Sequence, residues 1–200
     1  MPTTAEQPNE SEFAALLAGA RAGSGRSLRL IYQWLSGSLG GYLRAQGLVD
    51  PEAATNETFH RAFTRLDQFR GSAGGFRSWI FTIAHNLVID ERRRAARRPA
   101  SYATADARTL ERVGGDAEAD ALAHLGLEAA VGLLATLTNA QRDVIFLRVI
   151  AGLSVAETAT VMGRPPGAVK TLQHRGLQAL RRHLAEDGVT EIAERTFPLP

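Results

Sequence analysis

Between Thr138 and Leu184 the chain is so densely marked with helix start and stop signals that one local arrangement accounts for all of them. Thr138-Asn139-Ala140-Gln141 is a capping box, in which Thr138 accepts a backbone N–H and Gln141 reaches back to the threonine. The apolar run that follows (Val144, Ile145, Phe146, Leu147, Val149, Ile150) predicts a helix stopping at Gly152, the residue type expected past a helix end. Ser154-Val155-Ala156-Glu157 is a second capping box, opening a short helix that ends near Gly163. Pro165-Pro166 restarts the chain: Pro166 suits a first helical position, while Pro165, preceding a proline, is pushed out of the helical region. Two capped helices joined by a glycine-containing turn form a helix-turn-helix, a unit that lays its second helix in the DNA major groove. DNA binding is the expectation.

Charge distribution points the same way. The net charge of +2 conceals 13 basic and 9 acidic groups in residues 1–98, then 2 and 6 in 99–137. Residues 138–184 carry 7 basic and 2 acidic groups, and 185–200 carry 1 and 4. Two basic blocks around an acidic segment suggest two nucleic-acid-binding modules on one linker. Of the 23 basic residues only Lys170 is lysine, and arginine favours bidentate phosphate and base contacts. Cysteine is absent, which excludes disulfides and thiolate metal sites and fits a reducing cytosol. With no long apolar run and no basic-plus-apolar N-terminus, neither a membrane span nor a signal peptide is expected.

Almost everything reads as helix, so the predicted class is all-α: two small helical domains joined by a flexible linker, the second containing the helix-turn-helix. The first domain spans 10–98, with helices near 11–22, 26–46 (broken around Gly37 to Gly41), 51–68 and 76–97. Residues 99–120, rich in Ala, Asp and Gly, form the linker; its roughly 22 residues could reach on the order of 70 Å when extended. The second domain spans 121–184, and 185–200 is an acidic tail.

Helix 76–97 gathers Phe81, Trp79, Ile80, Ile83, Ala84, Leu87 and Val88 on one arc at ~100° per residue, with Thr82, His85, Asn86, Arg92 and Arg93 on the other. Its end holds five arginines in seven residues, more than the helix dipole needs, which points to phosphate contacts. Before it, Phe69-Arg70-Gly71 and Gly74-Gly75-Phe76 set aromatics among glycines and arginine, a composition suited to stacking unpaired bases. Core packing is the competing reading for Phe76 and Trp79. In helix 166–184, Val169, Leu172, Gly176, Leu177, Ala179 and Leu180 face inward, leaving Lys170, Thr171, His174 and Arg175 outward as base or phosphate contacts. Arg181 and Arg182 also face out, as phosphate contacts or solvated charges.

The segment Phe76-x-x-Trp79-Ile80-x-x-Ile83-Ala84-x-Asn86-x-x-Ile89-Asp90-x-x-Arg93 resembles the promoter-melting helix of bacterial extracytoplasmic-function (group IV) sigma factors. Asp50-x-Glu52 through Asn56-Glu57-Thr58-Phe59 is similar to the family's preceding segment, which binds the polymerase clamp. Leu137 to Leu184, with Gln141-Arg142, Leu147-Arg148, Gly152-Leu153-Ser154, Glu157 and Val169-Lys170, resembles its C-terminal domain. Both likenesses occur in the right order with a linker between. The resemblance implies a dissociable, non-catalytic initiation subunit of RNA polymerase acting in the cytoplasm. Its −10 contacts would come from Phe69, Arg70, Phe76, Arg77, Trp79, Asn86, Arg92 and Arg93. A base extruded from the −10 element would sit in the 67–76 loop. Its −35 contacts would come from Arg164, Lys170, Thr171, His174, Arg175 and Arg181, and its polymerase contacts from Asp50, Glu52, Asn56, Glu57 and Phe59. The partners implied are core RNA polymerase and promoter DNA (duplex at −35, single-stranded at −10), with room for an anti-sigma protein.

This chain departs from the family at Ala53, where a second acidic residue is usual, at Asn56, usually Gln, and at His85, often Arg. Lys170-Thr171-Leu172-Gln173 replaces the common Lys-Ser-Arg-Leu, so promoter preference does not transfer. The five histidines (His60, His85, His124, His174, His183) show no metal-ligand spacing, no glycine-rich phosphate loop follows a strand, and neither catalytic residues nor a cofactor are expected. The alternative reading is a free-standing helix-turn-helix regulator with a helical sensor or dimerisation domain. An RNA-binding adaptor is a third, but it would not need the capped helix-turn. Residues 69–98 separate the first two, because a sensor needs no aromatic loop feeding an arginine-dense helix.

Overall fold

The computed structural model of the protein describes residues 7–97 and 136–186, with side chains as far as His183. Every regular element among them is helical. They are α1 (Glu10–Arg21), α2 (Gly25–Ala45), α3 (Pro51–Thr64), a 3₁₀ turn (Leu66–Gln68) and α4 (Ala73–Arg97). The second stretch holds α5 (Asn139–Ile145), a π-helical turn (Phe146–Ile150), α6 (Val155–Met162) and α7 (Pro166–Glu186). The all-α expectation holds. The linker expected over 99–120, residues 121–135 and residues 187–200 of the tail lie outside the described residues.

Side-chain caps set most of the helix starts. Thr138 and Gln141 exchange the expected pair of bonds at 3.0 and 3.3 Å, and Ser154 and Glu157 do the same at 2.6 and 3.1 Å. Asp50 accepts from the Ala53 N–H at 2.7 Å ahead of Pro51 at the first helical position. Asn9 and Glu12 form a further capping box at α1. α6 ends on Gly163 at φ +59, a left-handed conformation that costs a side-chain-bearing residue about 1–2 kcal/mol.

The chain differs from its sequence pattern at four places. α2 runs unbroken through Gly37, Gly40 and Gly41. Burying Ile31, Trp34, Leu35, Leu39, Tyr42 and Leu43 on one helix outweighs about 1 kcal/mol per interior glycine. α3 stops at Thr64, with a 3₁₀ turn after it, rather than continuing to residue 68. α4 starts at Ala73, three residues early, because Ser72 provides the turn: its hydroxyl accepts the Gly75 N–H at 3.1 Å and its carbonyl the Phe76 N–H at 2.9 Å. The helix opened by Thr138 widens into a π-turn at Phe146 before reaching Gly152.

The described residues pack as two compact units, residues 7–97 with 146–166 and residues 136–145 with 167–186. In the first unit α4 is the hub, touched by α1, α2, α3 and α6. Contact on several sides explains why His85, expected on the outward arc, is buried instead; its Nδ1 lies 2.9 Å from the Tyr42 hydroxyl of α2. In the second unit Leu137 and Ile145 pack against Leu177 and Leu180 of α7, with Ala179 at the edge. Gly176 permits that approach, since a Cβ there would meet Ile145 at 3.3 Å.

Candidate nucleic-acid interface

The loop between α3 and α4 is built around an aromatic cluster. Phe69 and Phe76 meet edge to face at 5.1 Å, Phe13 of α1 lies 5.4 Å from Phe76, and Trp34 of α2 stacks at 6.4 Å from Phe76. Phe76 is fully buried and Phe69 is 8% exposed, so in this conformation both are packing residues beneath the loop. Trp79 covers the pair at 5.3 and 5.6 Å and is only half-buried, which makes it the member of the trio with a face left toward solvent. Gly71, at φ +149, lets the chain fold over Phe69; a Cβ there would sit 3.2 Å from that ring. Arg70 is exposed and donates to the carbonyls of Asp67 and, at 2.7 Å, Phe69.

Two charged side chains from α1 grip this loop, and neither was expected from the sequence. Arg21 donates through Nε to the Leu66 carbonyl at 3.4 Å and through a terminal nitrogen to the Phe69 carbonyl. Glu10 accepts the Ala73 N–H on both carboxylate oxygens, at 3.3 and 3.2 Å. The partners lie 45 to 63 residues apart, so no local spacing could have announced them.

Along α4, Asn86 and Arg93 are exposed, while Arg92 is half-buried and donates to the Gln46 side chain at 2.5 Å. Arg93 pairs with Asp90 at 3.8 Å and Arg94 with Glu91 at 3.3 Å; such exposed pairs add little stability and yield readily to a phosphate. Arg77 differs from the rest. Its guanidinium is half-buried and donates to the Ala151 carbonyl within the same unit. Burial lowers its pKa from the ordinary value, and the nearby Glu157 carboxylate works in the opposite direction.

At the start of α3, Asp50, Glu52, Asn56 and Glu57 are all exposed. Glu52 pairs with Arg44 at 2.9 Å, Glu57 with Arg61 at 2.6 Å, and Asn56 accepts from the Tyr32 hydroxyl at 3.4 Å. Phe59, by contrast, is buried and packs 4.6 Å from Tyr32 and 5.5 Å from Phe63. It supports the acidic surface from below.

In the C-terminal stretch Arg164 is exposed just after α6. On α7, Lys170, Thr171, His174 and Arg175 all stand on the exposed side, and the Thr171 hydroxyl bonds back to the Gly167 carbonyl at 3.0 Å. Val169, Leu177 and Leu180 are buried, Leu172 is half-buried, Arg181 is partly covered and Arg182 is exposed. The first three turns of α7 therefore offer two cations, a hydroxyl and an imidazole to an acceptor-rich surface such as the edges of base pairs. Among the described residues no cluster of His, Cys, Asp and Glu could hold a metal ion. No described helix is long and apolar enough to cross a membrane.

Comparison with known proteins connects the two surfaces. Residues 26–98 match the family model for Sigma-70 region 2, and residues 127–180 match that for Sigma-70, region 4. The chain is 34% identical to the ECF RNA polymerase sigma factor BldN of Streptomyces coelicolor, over 92% of this chain and 70% of that protein. It is 35% identical to the ECF RNA polymerase sigma factor SigL of Mycobacterium tuberculosis, over 88% of this chain and 99% of that one. Among solved structures, that of CnrH in complex with the cytosolic domain of CnrY superposes with a TM-score of 0.66 at 26% identity, covering 86% of this chain and 97% of that chain.

Proposed function

Because the chain belongs to the extracytoplasmic-function group of sigma-70 factors and directs promoter-specific transcription initiation, we propose a division of that work among its surfaces. The exposed acidic start of α3 (Asp50, Glu52, Asn56, Glu57), held up by Phe59, docks on core RNA polymerase. The segment 67–76, with Arg70, half-buried Trp79 and the α4 cations Arg92 and Arg93, takes the melted −10 strand, and Asn86 lies on the exposed side of the same helix. Arg77 joins that surface once it leaves the Ala151 carbonyl. Arg164, Lys170, Thr171, His174 and Arg175 read the −35 duplex, and Arg181 stays at its phosphate border. Residues 10–98 form the first functional domain, 99–120 the linker, 121–184 the second and 185–200 the tail. The chain acts in the cytoplasm as a non-catalytic subunit, and its covering partner is an anti-sigma protein.

The observation that carries the reading is the row Lys170, Thr171, His174 and Arg175, exposed together in the opening turns of a helix that follows a glycine-terminated, capped helix. Steered by phosphate contacts alone, such a helix binds without sequence preference; the base-edge groups supply preference. Transcription reconstituted with core polymerase on a library randomised at −10 and −35 tests it. The expected result is core-dependent initiation with selection at both elements. Tight, sequence-specific duplex binding by the free chain, without core dependence, would support the free-standing regulator instead.

A further inference from the structure

One stripe of α1 reads Glu10, Phe13, Leu17, Arg21, the three- and four-residue spacing that aligns side chains along a helix face. All four meet the first unit's interior or its α3–α4 loop. Arg21 holds the loop's entrance through the Leu66 and Phe69 carbonyls, and Glu10 holds its exit through the Ala73 N–H. Between them Phe13 is buried against Phe69 and Phe76, and Leu17 is buried beside it. The two charged ends stand about 16 Å apart along the helix, at 1.5 Å per residue. Both contacts go to main-chain groups, so they constrain backbone shape whatever the loop's side chains are. Each is charge-assisted, and the Glu10 carboxylate also meets the positive end of α4.

We propose that α1 is a splint for the α3–α4 loop, and that Glu10 and Arg21 are positioning residues for −10 recognition. Neither touches DNA. Their effect is to fix the backbone of 66–73 before a base arrives, so that capture of an extruded base spends no binding energy on ordering the loop. Resting the loop on a separate helix also explains how two buried phenylalanines contribute: they anchor the loop to the splint while Trp79 and Arg70 keep exposed surface. The proposal rests on the assignment of this loop to the −10 strand made above.

The test uses the full chain with core polymerase and compares Arg21→Ala, Arg21→Lys, Glu10→Ala and Glu10→Gln in −10 and −35 library selections. A loosened loop is expected to reduce discrimination at a −10 position by roughly 10- to 150-fold, the scale of one charge-assisted hydrogen bond, while −35 discrimination stays unchanged. Arg21→Lys keeps charge but not the two-carbonyl fork and is expected to recover part of the effect. Glu10→Gln keeps an acceptor and is expected to recover most of what Glu10→Ala loses. A general loss of fold would lower transcription from every template without changing either selection, and a thermal melt identifies such a variant. If Arg21→Ala unfolds, the two Glu10 variants decide. Unaltered −10 discrimination in folded variants overturns the splint and leaves the sigma-factor reading standing. Absence of −10 selection at positions served by this loop in the unaltered chain overturns the loop assignment and the splint together.

Discussion

The guanidinium of Arg77, on the helix that follows the α3–α4 loop, donates to the main-chain carbonyl of Ala151, in the turn leading to α6. Glu157 of α6 supplies an opposite charge nearby, its carboxylate 3.6 Å from where a Cβ on Gly74 would stand. A Cβ on Gly152 would come within 3.3 Å of the same guanidinium, so the glycine leaves it room. One side chain thus ties segment 146–166 to α4. Its contact with Ala151 holds the guanidinium against this segment and commits one of its terminal nitrogens to a main-chain acceptor.

Removing Arg77 should loosen that segment before it affects anything else. Arg77→Ala takes a charged donor from the Ala151 carbonyl, a loss of about 1–3 kcal/mol. Amide hydrogen exchange over residues 151–157 of the free chain is expected to accelerate by roughly 5- to 150-fold on that scale. Equal exchange in the variant and the unaltered chain would mean that apolar packing alone holds the segment.

Phe76 and Trp79 should separate stability from promoter melting. Phe76→Ala empties a fully buried site and is expected to cost about 3–5 kcal/mol, lowering the thermal midpoint by roughly 10 °C or more. Trp79→Ala, from a half-buried position, should cost less stability yet slow open-complex formation, with premelted templates restoring the rate. The reverse pattern, a mild Phe76→Ala and a Trp79→Ala that melts promoters normally, would remove Trp79 from the DNA surface.

The exposed positions of α7 predict two kinds of DNA defect. Arg175→Ala is expected to cost ~1–3 kcal/mol at one −35 base pair and relax selection there. Arg182→Ala, two turns further along, should weaken all sequences alike and reduce the salt slope by about one. A −35 library selected at several salt concentrations distinguishes them, and identical profiles for the two variants would sink the division.

Capping at α6 offers a purely local test. Ser154→Ala removes the acceptor for the Glu157 N–H and should cost ~1 kcal/mol. Gly163→Ala forces a Cβ into a φ of +59 and should cost about 1–2 kcal/mol, although nothing lies within 4 Å to clash with it. Denaturant midpoints of the full chain measure both. A neutral Gly163→Ala would mean that the turn relaxes to another conformation.

Local chemistry made the helix ends readable. Thr138 with Gln141, Ser154 with Glu157, and Asp50 before Pro51 each satisfy backbone groups within three residues, so adjacent sequence carries the whole signal. The exposed row on α7 was readable for the same reason, from the period of its buried neighbours Val169, Leu177 and Leu180. Burial by a distant element was not readable. His85 lies on the polar side of its own helix and is covered by α2; Phe76 sits in a motif whose residue types suit either stacking or packing, and Phe59, expected at the polymerase surface, is buried against Tyr32 and Phe63. Arg21 and Glu10 reach across 45 to 63 residues to main-chain atoms, which leave no trace in side-chain periodicity. The continuity of α2 through its glycines depended on six buried side chains acting together, which a residue-by-residue propensity cannot represent.

The Tyr42–His85 pair has a consequence for how α2 and α4 align. Greasy surfaces slide: Ile80, Phe81 and Val88 would find adequate company if α4 shifted one turn, about 5.4 Å, along its neighbour. A hydroxyl and an imidazole enclosed at 0% and 4% exposure cannot shift that way without breaking their bond in apolar surroundings, where such a loss is expensive. The pair therefore works as a dowel between the two longest helices of the first unit. It fixes where along α2 the two ends of α4 come to rest, and so where the α3–α4 loop and the terminal arginines stand relative to the rest of the unit.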